Sequence, residues 1–150
     1  MGENTPNPAL RRLDVLVGTW NVVTEDNGQS AGDGQITFEW MDGGFFLCQR
    51  IDLGRLIGIE YIGYDERSGT LRSQVYSNVS PAVLHYTWQV EDRAVTIWFG
   101  EPGSDNRFEG RLSDDRSVIS GAWRWPGGGY AATMTRVRET GRSGGGQSSS

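Results

Sequence analysis

From residue 18 to residue 138 apolar and polar side chains alternate with a period of two, and the same parity can be followed from one run to the next. Successive side chains on a strand point to opposite faces, so this alternation describes half-buried strands. Ten strand-length segments result, at 18–25, 35–41, 45–53, 57–64, 70–78, 82–90, 94–100, 106–112, 117–125 and 130–138. Turn-forming clusters divide them: Asn27-Gly28, Asp42-Gly43-Gly44, Asp65 through Gly69, Glu91-Asp92-Arg93, Glu101-Pro102-Gly103-Ser104, Asp114-Asp115 and Pro126-Gly127-Gly128-Gly129. Every connection is hairpin-sized and none has room for a crossover helix, which predicts an antiparallel meander. The expected fold is all-β: one antiparallel up-and-down barrel of about ten strands. A short helix should precede it, over Pro8 to Leu16. Asn7 can cap it, Pro8 suits its first position, and Leu10, Leu13 and Leu16 recur along one side.

The more apolar parity of each segment should face the lumen. That parity selects Trp20, Val22, Ile36, Phe38, Trp40, Phe45, Leu47, Gln49 and Ile51 in the first three segments. It continues with Ile57, Ile59, Tyr61, Leu71, Ser73, Val75, Ser77, Leu84, Tyr86, Trp88 and Val90. Val95, Ile97, Phe99, Phe108, Leu112, Ile119, Gly121, Trp123, Met134 and Arg136 complete it. The opposite parity collects Glu39, Arg50, Asp52, Glu60, Arg72, Gln74, His85, Gln89, Thr96, Arg107, Glu109 and Arg111, a solvated outer face. Barrel diameter grows with strand number and about eight strands already hold a small ligand, so a wider barrel should keep a cavity. The expected wall is Phe38, Trp40, Leu47, Gln49, Ile59, Tyr61, Ser73, Val75, Leu84, Tyr86, Trp88, Ile97, Phe99 and Trp123. Such a wall, mostly apolar with a few hydrogen-bonding groups, suits an apolar small molecule.

Composition removes several chemistries. All 14 basic residues are arginine, so Schiff-base and P-loop lysine mechanisms are excluded. A single histidine, His85, and a single cysteine, Cys48, cannot build a zinc site or an internal disulfide, and no metal or cofactor is expected. The net charge of −5 and the scattered arginines argue against nucleic acid as a partner. No apolar run approaches the roughly 20 residues of a membrane span, and the composition reads as cytoplasmic. A length of 150 residues suits one domain, here 8–138. Residues 1–7 are expected to be flexible, and the Gly- and Ser-rich stretch 139–150 to be disordered.

Val15-Leu16-Val17-Gly18-Thr19-Trp20, a short helix followed by Gly-x-Trp, resembles the opening of calycin barrels: lipocalins, fatty-acid-binding proteins and nitrobindin-like proteins. Phe38-Glu39-Trp40-Met41-Asp42-Gly43-Gly44-Phe45-Phe46, Ile62-Gly63-Tyr64-Asp65 and Ile119-Ser120-Gly121-Ala122-Trp123 resemble, more specifically, a bacterial lipocalin-like barrel family. The resemblance spans roughly Arg11 to Arg138. It implies that the short helix and Trp20 sit at the closed end of the barrel, with Arg136, on the last strand, packed over the Trp20 ring. The haem-binding nitrobindins carry their iron-ligating histidine near the C-terminal end. This chain has Thr133, Met134, Thr135 and Arg136 there, and departs from them.

Few residues invite a catalytic reading. His85 titrates nearest neutrality and would suit general acid–base work, but its parity places it outside. Glu60 should pair with Arg50 on the outer face; only an inverted parity would bring a carboxylate into the lumen, where desolvation is expensive. Tyr61 and Tyr86, read as inward, could anchor a ligand or simply bond Gln49, Ser73 or each other. Cys48 faces outward, with nothing nearby to activate it. Tyr76 and Trp98, also outward, predict an apolar patch of the kind a homodimer would cover. The functional expectation is binding of an apolar small molecule in the barrel. The alternatives are a metal-free cyclase or isomerase that folds a polyketide-like or other hydrophobic substrate in the same cavity, with Glu60, Tyr86 or His85 as candidate catalytic groups, and a structural dimer with a filled interior.

Overall fold

Leucines three residues apart eclipse one another on a helix with three residues per turn, and Pro8–Leu16 is a 3-10 helix in the computed structural model, which describes residues 5–138. Asn7 caps it, accepting a hydrogen bond from the Ala9 amide at 2.8 Å. Leu10, Leu13 and Leu16 are fully buried. At about 1.5–3 kcal/mol for each buried leucine, burial outweighs the poor hydrogen-bond geometry of this helix type. The helix lies against the barrel's closed end. There Trp40 Nε1 donates to Asp14 Oδ1 at 2.9 Å, the Arg11 guanidinium sits 4.5 Å from the Trp40 ring centroid, and Arg12 pairs with Glu91.

Eleven strands follow: β1 Gly18–Asp26, β2 Gln29–Ser30, β3 Gly34–Trp40, β4 Phe46–Asp52, β5 Ile57–Asp65, β6 Thr70–Ser77, β7 Leu84–Glu91, β8 Ala94–Phe99, β9 Arg107–Leu112, β10 Val118–Trp125 and β11 Gly128–Arg136. Ten of them form the barrel wall as a continuous antiparallel meander, closed by pairing of β11 with β1. The short β2 folds back on the end of β1 across the Asn27-Gly28 turn, outside the closed circuit. Each of the ten segments read from alternation is a wall strand, because hairpin-length turns leave a meander no other partners. No helix among the described residues is long and apolar enough to cross a membrane. The expectations for residues 1–4 and 139–150 lie outside the described residues.

One strand reverses the expected parity. Asp52 pairs with Ile57 across the 53–56 turn, and Asp65 pairs with Thr70 across the 66–69 turn. Directly paired residues share a face, so Gly58, Glu60, Ile62 and Tyr64 follow Ile51, Gln49, Leu47 and Leu71 to the inside. Ile57, Ile59 and Tyr61 are therefore outward, against expectation; Tyr61 meets Tyr76 edge-on at 6.5 Å on the outer face. The expected outer pair of Glu60 with Arg50 does not form, since Arg50 lies opposite Ile59 and outside. Phe45 is exposed in the turn before β4 rather than enclosed. Cys48 keeps its outward parity yet is only 4% exposed, and burial pushes its thiol up from the ordinary value.

At the closed end the Arg136 guanidinium lies 4.2 Å from the centroid of the fully buried Trp20 ring. It also donates to the Val17, Val15 and Arg116 carbonyls at 2.6, 2.7 and 3.1 Å, while Trp20 Nε1 donates to the Leu16 carbonyl. One side chain on β11 thus fastens the helix, the first strand and the turn between β9 and β10 together. Arg136→Ala should lower stability by about 2–4 kcal/mol, read from the urea midpoint. Arg136→Lys should restore only part of it, because an ammonium cannot span the same carbonyls while covering the ring.

Candidate functional site

The meander puts the hairpins that follow β4, β6, β8 and β10 at one end of the barrel, away from the helix. Leu53, Leu56, Val79, Asn106 and Trp125 ring the mouth there, and a cavity of about 600 Å³ runs inward as far as Leu16. The lumen stays open partly because of a glycine pair. Gly110 and Gly121 face each other across β9 and β10, and a Cβ on either would come within 2.7 Å of the Phe108 ring. The ring lies over this bare stretch of wall, where a side chain would have lifted it.

Of the residues expected in the wall, Phe38, Gln49, Val75, Leu84, Tyr86, Trp88, Ile97 and Trp123 line the cavity. Ser73 is buried in the same wall and reaches the site through its hydroxyl. Leu47 is fully buried beside its cross-strand partner Ile62, outside the lining. Trp40 belongs to the closed end, held by Asp14. Phe99 packs edge-on to Tyr86 at 5.5 Å but is 40% exposed and does not line the cavity. Ile59 and Tyr61 are on the outer face, as is the exposed His85, which pairs with Gln74. Thr24, Leu53, Leu56, Asn106, Trp125, Tyr130 and Ala132 line the cavity without having been anticipated. Several of them sit in or beside turns, where alternation gives no signal.

The most consequential residue that alternation misplaced is Glu60. It is 5% exposed, lines the cavity, and is the only formally charged side chain in the wall among the described residues. Gln49 Nε2 donates to its Oε1 at 2.5 Å, Ser73 Oγ donates to its Oε2 at 2.6 Å, and Trp88 Nε1 donates to Oε2 at 3.1 Å. Strand register builds this cluster, because Glu60 stands between Gln49 on β4 and Val75 on β6, with Ser73 one inward position further along β6. Turn counting holds the missing signal. With Leu71 inward and Asp65 paired to Thr70, Tyr64 must be inward, and Glu60 shares its parity.

Desolvation pushes the Glu60 carboxyl up from 4.5 to about 7, against the lowering effect of the bonds from Ser73, Trp88 and Gln49. Burial, with the Glu60 charge adding to it, pushes Tyr86 up to about 12, and burial raises Tyr130 as well. Beyond Glu60 the wall is aromatic and aliphatic, with Phe38 edge-on to Trp88 at 6.4 Å and Trp123 meeting Tyr86 at 5.8 Å and Phe108 at 5.7 Å.

Fold and site together define a closed ten-stranded antiparallel barrel with an internal apolar chamber and one buried acid. No protein-family model and no curated protein matches the sequence. Among solved structures, a redesigned β-barrel is similar at 18% identity over 90% of this chain and 100% of that chain, with a TM-score of 0.38, too low to add to the strand pairing already described.

An acid whose folded pKa lies above its unfolded value holds its proton more tightly in the native state. Native stability should therefore decline as pH rises from about 4.5 to about 7 and level off above that. The decline attributable to Glu60 is about 3 kcal/mol. Glu60→Gln should remove it, leaving a variant more stable than the parent at pH 8, as urea unfolding across pH would record. The amide fits the site: its oxygen can accept from Gln49, its nitrogen can donate to Ser73, and Trp88 Nε1 already lies 3.1 Å from Ser73 Oγ.

Proposed function

We propose that this chain is a calycin-type, lipocalin-like barrel that binds a small, largely apolar molecule in its interior. The observation that carries the reading is a chamber of about 600 Å³ that opens at one end and is walled by aliphatic and aromatic side chains around a single polar cluster. Pockets of this size and make-up hold small organic ligands. A ligand burying about 300 Å² of apolar surface gains about 7 kcal/mol from desolvation, before the cost of immobilising it. Apolar burial therefore supplies most of the affinity, and the cluster at Glu60, Gln49, Ser73 and Trp88 sets orientation. The stacking of Arg136 on Trp20 supports the calycin likeness, since it is the closed-end arrangement that the resemblance implies.

A second reading, a cyclase or isomerase, is favoured by Glu60 itself. A carboxyl titrating near neutrality inside an apolar chamber suits general base catalysis, and the Tyr86 phenol faces the same lumen. In that case the protein exchanges solvent deuterium into a bound enolisable ketone, and Glu60→Gln stops the exchange while the ketone is still retained. A protein that only binds shows no exchange.

Native mass spectrometry of the purified protein should show a co-purifying apolar molecule that organic extraction removes. Val75→Trp, which fills the lumen beside Glu60, should abolish its retention while the far-ultraviolet β spectrum stays intact.

A further inference from the structure

Glu60 is a buried acid whose partners are all neutral. Gln49, Ser73 and Trp88 hold it against the wall, and none of them carries a charge. The nearest arginines in strand order are turned away: Arg50 lies on the outer face opposite Ile59, and Arg72 grips Glu101 through two bonds of 3.1 and 2.7 Å. Among the described residues, no cation lines the cavity. Burying an uncompensated carboxylate is costly, and a charge of opposite sign supplied from within the lumen would relieve that cost.

A carboxylate offers about four acceptor positions. Three are taken by wall groups, two on Oε2 and one on Oε1, which leaves Oε1 able to accept one more hydrogen bond. The cavity that Glu60 lines is also lined by the rings of Phe38, Tyr86, Trp88, Phe108, Trp123 and Tyr130. Aromatic faces carry partial negative charge and favour a cation over a neutral or anionic group.

Resting on the binding function proposed above, we propose that the natural ligand is a hydrophobic amine: an apolar body with one protonated nitrogen that ion-pairs with Glu60 Oε1 among these rings. A fatty acid would bring a second negative charge to a lumen with no arginine to receive it. An alcohol could accept or donate one hydrogen bond but would leave the charge uncompensated.

The inference predicts a pH signature. The other titratable side chains facing Glu60 in the lumen are Tyr86 on β7 and Tyr130 on β11, both raised above the ordinary phenol value. The inward neighbours on β4 and β6, and Leu16 from the helix, do not titrate. An ammonium entering below the Glu60 pKa of about 7 must expel the carboxyl proton, so its affinity should fall about tenfold per pH unit there and stay level above it.

Isothermal titration with octylammonium, octanol and octanoate, matched in length and differing in head-group charge, tests this directly. At pH 8 octylammonium should bind at least about tenfold tighter than octanol, a difference of about 1.4 kcal/mol, with octanoate weakest. Glu60→Gln should remove the amine's advantage over octanol. In the parent protein at pH 6, titrations in two buffers of different ionisation enthalpy should show a proton released with the amine and none with octanol. Octanol binding as well as the amine, or an amine affinity indifferent to pH, would overturn the amine assignment and leave the binding function standing. Failure of all three ligands and of the neutral probe Nile red would sink the binding function itself.

Discussion

Pairing of β11 with β1 is the constraint on which the rest depends. A meander of ten strands left open would expose two unpaired edges and a sheet face rich in tryptophan, leucine and isoleucine, a template for aggregation. Closure removes both liabilities at once, and the register that achieves it sets Trp20 directly opposite Arg136. The cation–π contact and the carbonyls of Val15, Val17 and Arg116 then bind the seam to the helix and to the last closed-end turn. The end that is sealed and the end that stays open follow from this, because the helix can dock only where its three leucines meet the buried residues around Trp20.

Closure also makes the interior a distinct dielectric region. Within it the protein places one carboxyl, supported by an amide, a hydroxyl and an indole N–H. A satisfied polar network of this kind is specific about geometry, since each donor has one place to go. It has no counter-charge of its own, so the stability of the native state and the chemistry of the lumen are linked through the same proton. The outer face shows the opposite strategy. There Arg72 with Glu101, and Arg107 with Glu109, are exposed pairs that contribute little each and keep the surface hydrated.

A family resemblance pointed to the Trp20–Arg136 seam, whereas the ten wall strands, the capped helix with its leucines and the turns were legible in the linear sequence itself. They rest on local rules: alternation over a few residues, turn chemistry between runs, and a capping residue before a proline. Most of the inward parity was legible for the same reason, as in Ile36 and Phe38 on β3 or Leu84, Tyr86 and Trp88 on β7, where one parity is plainly more apolar than the other. Segment 57–64 differs. Ile57, Ile59 and Tyr61 compete with Gly58, Glu60, Ile62 and Tyr64, and the presence of a glutamate makes the second set look like the wet one.

What the sequence by itself determined was therefore a closed antiparallel barrel of ten strands with a plugged end and a largely apolar interior. The tertiary structure alone decided that Glu60 points inward. Side-chain direction on a strand is fixed by pairing with its neighbours, and the partners of β5, Gln49 on one side and Val75 on the other, are set by the two turns rather than by its own hydrophobicity. Whether the lumen is hollow was decided there too. One contribution is the Phe108 ring lying over Gly110 and Gly121, a glycine pair that only the register of β9 with β10 brings together.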